Sequence, residues 1–365
     1  MAIYYVDNTR PDDTGDGLSE ATAWKTISKA ETESASMVAG DSLLFKRGQT
    51  FEGDFEYGGA SGTLGNEVTI SSYGTGARPI ITAIGEQTGA WVDQGSNKWA
   101  MTRSVKTTRL WKGGVEQKST SPVKYGETWN EFGLIAGCVW IWDSSTLYFY
   151  STTDPSTETF TGAVRYTVFT FTGVSHIKIT ELDLRGGSSH CLNLVNSSFI
   201  EVSYNDIGKE AGYGVVIDNC SDLTIKRNTF DNDFKLLFDG VTSYDGTDAR
   251  GSNDGIVSWG GVTNSNIMYN SFINWGHACI AFTATLVGDE TSGNKIYNNH
   301  LTAPDLHYSR AFGYSGTYMT LNEFYNNYVD TSYIRSQMNG VSNHVHHNYF
   351  KNHFNTPYKI GEQGS

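Results

Sequence analysis

The chain has 365 residues, of which 40 are Gly and 6 are Pro, 13% are aromatic, and the formal net charge is −13. This composition is typical of a β-rich protein with many turns. The negative charge argues against general nucleic-acid binding, because a phosphate backbone would be repelled. No apolar run reaches the roughly 18 residues that a transmembrane helix needs, so we expect no membrane insertion.

The N-terminal segment predicts a strand, an acidic turn and a helix. Residues 3–6 form a strand pattern that follows Met1 directly, without the pattern of a signal peptide. In the turn that follows, Asp12, Asp13 and Asp16 offer clustered oxygens of the kind that calcium selects, and a solvated Asp/Gly turn is the alternative.

Residues 19–37 predict a short amphipathic helix with Ser19 as the N-cap and Gly40 as the stop. One helical face carries apolar residues, namely Ala21, Trp24, Ile27, Ala30 and Ala35. Such a helix would close the open end of a solenoid by covering strand edges and core side chains.

A different pattern, dense in Trp, occupies residues 90–161. With the turn Lys112-Gly113-Gly114, it predicts a small inserted β-subdomain. Its Trp side chains are expected to fill the subdomain core, with sugar stacking as the alternative. The predicted segments are therefore 1–89 (first strand, cap helix and first coils), 90–161 (insertion) and 162–365 (main coils).

One short pattern recurs from about residue 176 to 350: an apolar residue, two mostly polar residues, Asn, one residue and a second apolar residue. The Asn positions are Asn205, Asn228, Asn270, Asn299, Asn327 and Asn348, with Leu182 in an earlier copy. A short period with inserted segments indicates a solenoid. Apolar alternation, as at Leu192 and Leu194, indicates strands. The sequence therefore predicts an all-β, single-stranded right-handed parallel β-helix in which the Asn amides form a stacked ladder.

The N-terminal region also carries a family resemblance. The residues that carry it lie at 5–7, 16–17, 23–27, 40–41, 45–48 and 73–76, together with the later coils. They resemble secreted bacterial proteins of the pectate-lyase-like superfamily, which includes polysaccharide lyases and β-helix glycosidases. Some β-helix glycosidases, such as certain β-xylosidases, carry similar insertions. The resemblance implies a fold, an extracellular location and carbohydrate degradation, but it does not specify the reaction.

Equivalent positions of adjacent coils stack about 4.8 Å apart, so side chains one repeat apart in sequence become neighbours in space. Before one strand of each coil the chain places a polar column, and an open solvated surface is the alternative interpretation. The column consists of His190, Tyr213, Asp254, His277 and Arg310, with Arg335 near it one coil later. We expect residues 236–251 to form one wall of a cleft there.

This column predicts a lyase that acts on a uronic-acid polymer. Arg310 and Arg335 would neutralise the sugar carboxylate, His277 or Tyr213 would serve as base and acid, and Asp254 would support them. Further substrate contacts are expected from Tyr213, Trp275, His307 and Gln337.

The alternative enzyme is a glycoside hydrolase, which needs two carboxylates. Glu210 and Asp233 each follow a repeat Asn at the same offset, so they offer such a pair on adjacent coils, beside Trp275 as a possible sugar platform. A non-catalytic carbohydrate-binding β-helix or adhesin is the third reading. The expected partner is thus a polysaccharide or oligosaccharide, with no nucleic acid and no membrane. No cofactor is required, calcium is possible, and Cys138, Cys191, Cys220 and Cys279 are expected to be free thiols.

Overall fold

The computed structural model describes residues 1–107, 109–117, 139–143, 145–208, 212–232, 254–275, 278–284, 288–302, 310–316, 318–330 and 342–351. Within these residues, three large parallel sheets run side by side, and each turn of the chain adds a strand to each of them. The predicted parallel β-helix is confirmed. None of the described helices is long and apolar enough to cross a membrane.

The fourteen-stranded sheet forms one side of every coil. Its main strands are Ile3–Val6, Ser42–Lys46, Val68–Tyr73, Ser175–Thr180, Ser198–Ser203, Thr224–Lys226, Asn266–Met268, Lys295–Tyr297, Glu323–Tyr325 and His344–His346, and its short ones are Cys220–Ser221, Val262–Thr263, Thr291–Ser292 and Met319–Thr320.

The other two parallel sheets have nine and seven strands. The nine-stranded sheet contains Thr50–Glu52, Ile80–Thr82, Asp183–Arg185, Asp206–Ile207, Thr229–Asp231, Ser271–Ile273, His300–Thr302, Tyr328–Asp330 and Tyr349–Lys351. The seven-stranded sheet contains Phe55–Glu56, Thr167–Thr172, His190–Val195, Tyr213–Asp218, Asp254–Ser258, Ala278–Ala284 and Arg310–Gly316.

The recurring Asn residues form the predicted ladder inside the coils. The Oδ1 atom of Asn228 accepts from the backbone N of Asn205 (2.9 Å) and from its Nδ2 atom (3.1 Å), and the same pair of bonds repeats at every step down to Asn348. At the other end, Asn205 Oδ1 accepts from the backbone N of Leu182. Buried amides therefore satisfy one another, and one register is fixed from coil to coil.

A second amide ladder lies at another bend, within the fourteen-stranded sheet. Asn294 Oδ1 accepts from the backbone N of Ser265, Asn322 Oδ1 from that of Asn294, and Asn343 Oδ1 from that of Asn322. As in the first ladder, each Asn follows a residue with positive φ, here Gly293, Leu321 and Ser342. This ladder was not predicted.

The N-terminal helix is shorter than predicted. Ser19 caps only a 3₁₀ turn, Glu20–Thr22, and the α-helix is Ile27–Ser34, with Thr26 as its N-cap. Trp24 lies between them in extended backbone, since it donates to Tyr5 O and its own carbonyl accepts from Asp7 N. Ile27 and Ala30 belong to the main core, and a Cβ on Gly53 would collide with Ile27. The helix therefore packs onto the first coils, as expected of a cap.

Two antiparallel sheets interrupt the coils. One contains Val92–Asp93, Lys98–Thr102, Trp140–Asp143 and Thr146–Tyr150, and the other contains Ile84–Glu86, Leu110–Lys112, Val115–Glu116 and Phe160–Ala163; a 3₁₀ turn, Pro155–Thr157, lies near their end. Gly113 and Gly114 form the predicted hairpin turn with positive φ at both residues. Trp91 and Trp140 lie in a core separate from that of the coils. The segment boundaries 1–89, 90–161 and 162–365 stay a prediction.

Candidate functional site

The first residues of neighbouring strands in the seven-stranded sheet are in register and form one column. His190 is in register with Tyr213, and Ala278 is in register with both Asp254 and Arg310. The strand pairing of Val215 with Ile256 extends the column from Tyr213 to Asp254. The column position between Asp254 and Arg310 is held by Ala278, the residue after the expected His277. His277 itself lies outside the described residues, and its role stays a prediction.

An aromatic cluster covers the outer face of this sheet. The ring of Trp259 lies edge-on to His190 (centroids 5.7 Å apart) and to Tyr213 (5.5 Å). Tyr213 also packs against the small outer-face residues Val216, Val257, Ala278 and Ala281. Trp259 remains 48% exposed, so a large aromatic surface is open to a ligand beside the column.

Asp254 supplies the carboxylate of this region. It begins its strand, and only 2% of its surface is exposed. Its charge and, above all, burial raise the pKa of the Cys279 thiol on the neighbouring strand. A buried carboxylate in the same column as Tyr213, next to the exposed Trp259 ring, is a functional-site candidate.

His190 is held as a neutral side chain. Its Nε2 and Nδ1 atoms lie 2.9 Å from the Thr167 and Ser189 hydroxyls, respectively. Burial lowers its pKa to about 4. A neutral imidazole with both nitrogens in hydrogen bonds orients its neighbours, and here it supports one edge of the Trp259 ring.

Trp275 was predicted as a sugar platform, and that prediction is wrong. The side chain is fully buried, and its Nε1 atom donates to the Phe230 carbonyl. Glycines make the space for it: a Cβ on Gly208 would lie 2.6 Å from the indole, and one on Gly214 3.2 Å. The indole therefore belongs to the core of the coils.

Most of the other predicted site residues lie outside the described residues, and their roles stay predictions. They are Glu210, Asp233, His277, His307, Arg335 and Gln337, together with the predicted wall 236–251; of Arg310, only the backbone register is described. In the chain, segments 209–211, 233–253, 276–277 and 303–309 each connect the nine-stranded sheet to the seven-stranded one.

The acidic turn near the N-terminus uses its carboxylates locally. Asp12 accepts from Thr14, Asp16 from Leu18 and Thr22, and Asp13 from the backbone of Lys25 and Thr26. No group of three metal-binding side chains occurs within the described ranges. Calcium stays a prediction. Of the thiols, Cys191, Cys220 and Cys279 are free and buried as predicted, whereas Cys138 lies outside the described residues.

Comparison with known proteins supports the architecture. Residues 135–253 match the family described as the right handed beta helix region. The chain contains a right-handed β-helix region. Over 93 residues it is 32% identical to a lacto-N-biosidase of Bifidobacterium longum subsp. longum, a match that covers 24% of this chain and 6% of that protein. The chain thus spans a small fraction of this curated relative.

Solved structures with a similar arrangement are more distant in sequence. The complex of XylC with xylose is 14% identical with a TM-score of 0.42, and the match covers 94% of this chain and 70% of that one. A rhamnogalacturonan lyase is 12% identical with a TM-score of 0.46, covering 92% and 70%.

Proposed function

We propose that this protein is a carbohydrate-active enzyme that cleaves a polysaccharide on the outer face of the seven-stranded sheet. The observation that carries the proposal is the half-exposed Trp259 ring beside Tyr213, whose column contains the buried carboxylate Asp254. An open aromatic surface suits the apolar face of a sugar, and a carboxylate with a phenol beside it supplies groups for proton transfer. The local match to a lacto-N-biosidase also favours a carbohydrate substrate.

The reaction we propose first is β-elimination on a uronic-acid-containing polymer. Arg310 lies two strands from Asp254 in the column, roughly 10 Å away at the strand spacing, which leaves room for a sugar ring between them. A guanidinium neutralises a sugar carboxylate bidentately and thereby acidifies the α-proton. Tyr213 or His277 then removes this proton, the bond from the β-carbon to the glycosidic oxygen breaks as a carbon–carbon double bond forms, and the other of these two side chains protonates the leaving oxygen. Arg335 assists the neutralisation, and Asp254 stabilises the charged groups.

A hydrolase is the second candidate, and the burial of Asp254 is the observation that favours it. A glycosidase needs a carboxyl group fixed beside the glycosidic bond, and burial fixes Asp254 at the head of its strand. In that reaction, the second carboxylate is Glu210 or Asp233, and the arginines are not essential.

The test measures product formation from a panel of acidic and neutral polysaccharides. Elimination leaves an unsaturated sugar that absorbs near the ultraviolet edge, whereas hydrolysis yields reducing ends without this absorbance. For the lyase, Tyr213→Phe, His277→Ala and Arg310→Ala lower kcat, and Arg310→Lys restores little because one ammonium does not reproduce a bidentate contact.

For the hydrolase, Asp254→Asn and either Glu210→Gln or Asp233→Asn abolish activity, while Arg310→Ala retains most of it. Glu56→Gln, which neutralises an exposed carboxylate on the same sheet, is the matched control. If none of the polysaccharides is cleaved, or if every variant retains full activity, the proposed site is wrong. An extracellular location remains part of the proposal, and secretion of the native gene product in its host tests it.

A further inference from the structure

A second surface, on another side of the coils, consists of residues in an unfavourable backbone conformation. The bend between the fourteen- and nine-stranded sheets places one residue with positive φ before each member of the first Asn ladder. Those residues are Glu181, Tyr204, Arg227, Tyr269, Asn298, Asn326 and His347. Asn tolerates this conformation, whereas bulky side chains adopt it only at a cost in free energy. Tyr204, Arg227 and Tyr269 therefore occupy positions where Asn suffices for the fold.

Arg227 lies between the two tyrosines. Its guanidinium carbon is 5.5 Å from the ring centroid of Tyr204 and 6.0 Å from that of Tyr269, and its Nη1 atom donates to the Tyr204 hydroxyl. Within the described part of the chain, no carboxylate lies within salt-bridge distance of Arg227. Arg47, by contrast, contacts Glu181 in the first copy of the same bend. The two tyrosines thus hold the guanidinium of Arg227 in place, and this guanidinium can bind an anion.

The two tyrosines are open to solvent, at 36% exposure for Tyr204 and 53% for Tyr269. They stand two coils apart, about 10 Å along the solenoid axis. Further down, Tyr297 and Tyr325 stack face to face at 5.0 Å and 3°, so their faces are occupied by each other. Beside Arg227, by contrast, both tyrosines keep exposed ring surface.

We propose that Tyr204, Arg227 and Tyr269 form a binding site for an anionic sugar chain, separate from the seven-stranded sheet. Arg227 binds a sugar carboxylate, and the tyrosines contact the sugars on either side. This inference rests on the proposed function in one respect, namely that the ligand is a polysaccharide. The site at Arg227 binds the chain and does not cleave it.

The test is calorimetric titration with a galacturonic-acid hexamer and with its methyl-esterified, uncharged form. In a Tyr213→Phe, His277→Ala background, which removes both proposed bases, we expect one site per chain that prefers the acid about tenfold, besides any binding at the seven-stranded sheet. Arg227→Asn is expected to remove this preference, and Tyr204→Asn with Tyr269→Asn to weaken both hexamers. Lys178→Asn removes the same charge elsewhere on the fourteen-stranded sheet and leaves binding unchanged.

Thermal unfolding distinguishes a binding role from a structural one. Because Asn already occupies this bend at Asn298 and Asn326, the three Asn variants are expected to keep or raise the Tm. The inference is overturned if the acid hexamer does not bind, if Arg227→Asn binds it equally well, or if the Asn variants lose binding only together with the fold. Binding that persists in a protein that cleaves no polysaccharide would leave this site standing and refute the proposed function.

Discussion

At the scale of single residues, the Asn side chains of the first ladder join each coil to the next by hydrogen bonds, as backbone groups do between paired strands. Asn299 donates its Nδ2 hydrogens to the carbonyls of Ile267 and Tyr297 and to Asn327 Oδ1, while its own Oδ1 atom accepts from Asn270. Its exposure is 2%. Such a group is stabilising only while all its partners remain, because each unsatisfied buried partner costs free energy.

Replacing this amide by an apolar group of similar size therefore destabilises the protein. Asn299→Leu is expected to lower the free energy of unfolding by about 1–3 kcal/mol, since the backbone N of Asn270 and the Ile267 carbonyl lose their partners. Urea denaturation measures the change. Asn266→Leu, on the outer face of a neighbouring strand, is the control and should have little effect. Equal stability of both variants would contradict the role of the ladder.

His190 makes the stability depend on pH. Its folded pKa of about 4 is below the ordinary histidine value of 6.5, so the unfolded chain takes up a proton first as the pH falls. The contribution is fully present above about pH 6.5 and is lost as the pH falls to about 4, by on the order of 3 kcal/mol. Urea titrations across this range are expected to show a flatter profile for His190→Gln than for the wild type. Exposed His300→Gln is the control, and parallel profiles for His190→Gln and the wild type would refute the assignment.

Residue-level prediction succeeded where one residue type marks one position. The first ladder could be predicted because Asn recurs at every coil from Asn205 onwards. The burial of Trp275 could not, because the space that it fills is set by Gly208 and Gly214 in an earlier coil. Trp259 was not predicted as a site residue either. Its only signal was a single Trp directly after an apolar strand, and its contacts with His190 and Tyr213 cross coils.

At the scale of elements, the repeating unit is a bend rather than a strand. A residue with positive φ turns the chain, and the next side chain points inward to accept from the coil before it, as with Tyr204 and Asn205 or Asn264 and Ser265. The second ladder was not predicted because its first member in the chain is Ser265 in place of an Asn, and because the residues that precede its members differ from coil to coil. A hydroxyl and an amide oxygen perform the same task there, which a search for one residue type does not reveal.

The position of the cap helix depends on the face that it buries against the first coils. Ala30 is fully buried against the first coils, whereas Ser28 on the same helix is exposed. Ala30→Glu is expected to lower the Tm by several degrees and to promote aggregation, because a charge in the apolar contact lifts the helix from the strands beneath it. Differential scanning calorimetry and light scattering measure both effects. Ser28→Glu is the control, and a soluble Ala30→Glu variant with unchanged Tm would refute the cap.

At the scale of the whole molecule, each coil packs mainly against its two neighbours. Removal of an end of the solenoid therefore exposes the next coil, even though few residues are lost. Deleting residues 1–40 removes the cap helix and the edge strand Ile3–Val6, which pairs with Ser42–Lys46. The newly exposed strand edge is expected to template association. Size-exclusion chromatography should then show aggregates, whereas a soluble monomer would show that the cap is dispensable.

The bends of each coil differ in the length of chain that they accommodate. The bends that precede the two ladders are fixed by a positive-φ residue and by hydrogen bonds to the next coil, whereas the connections from the nine-stranded sheet to the seven-stranded sheet differ in length from coil to coil. Segment lengths there vary from 209–211 to 233–253 between consecutive coils that keep the same register. These connections are therefore modular: in an engineered or diverging chain, each could be exchanged for one of another length without re-registering the coils on either side.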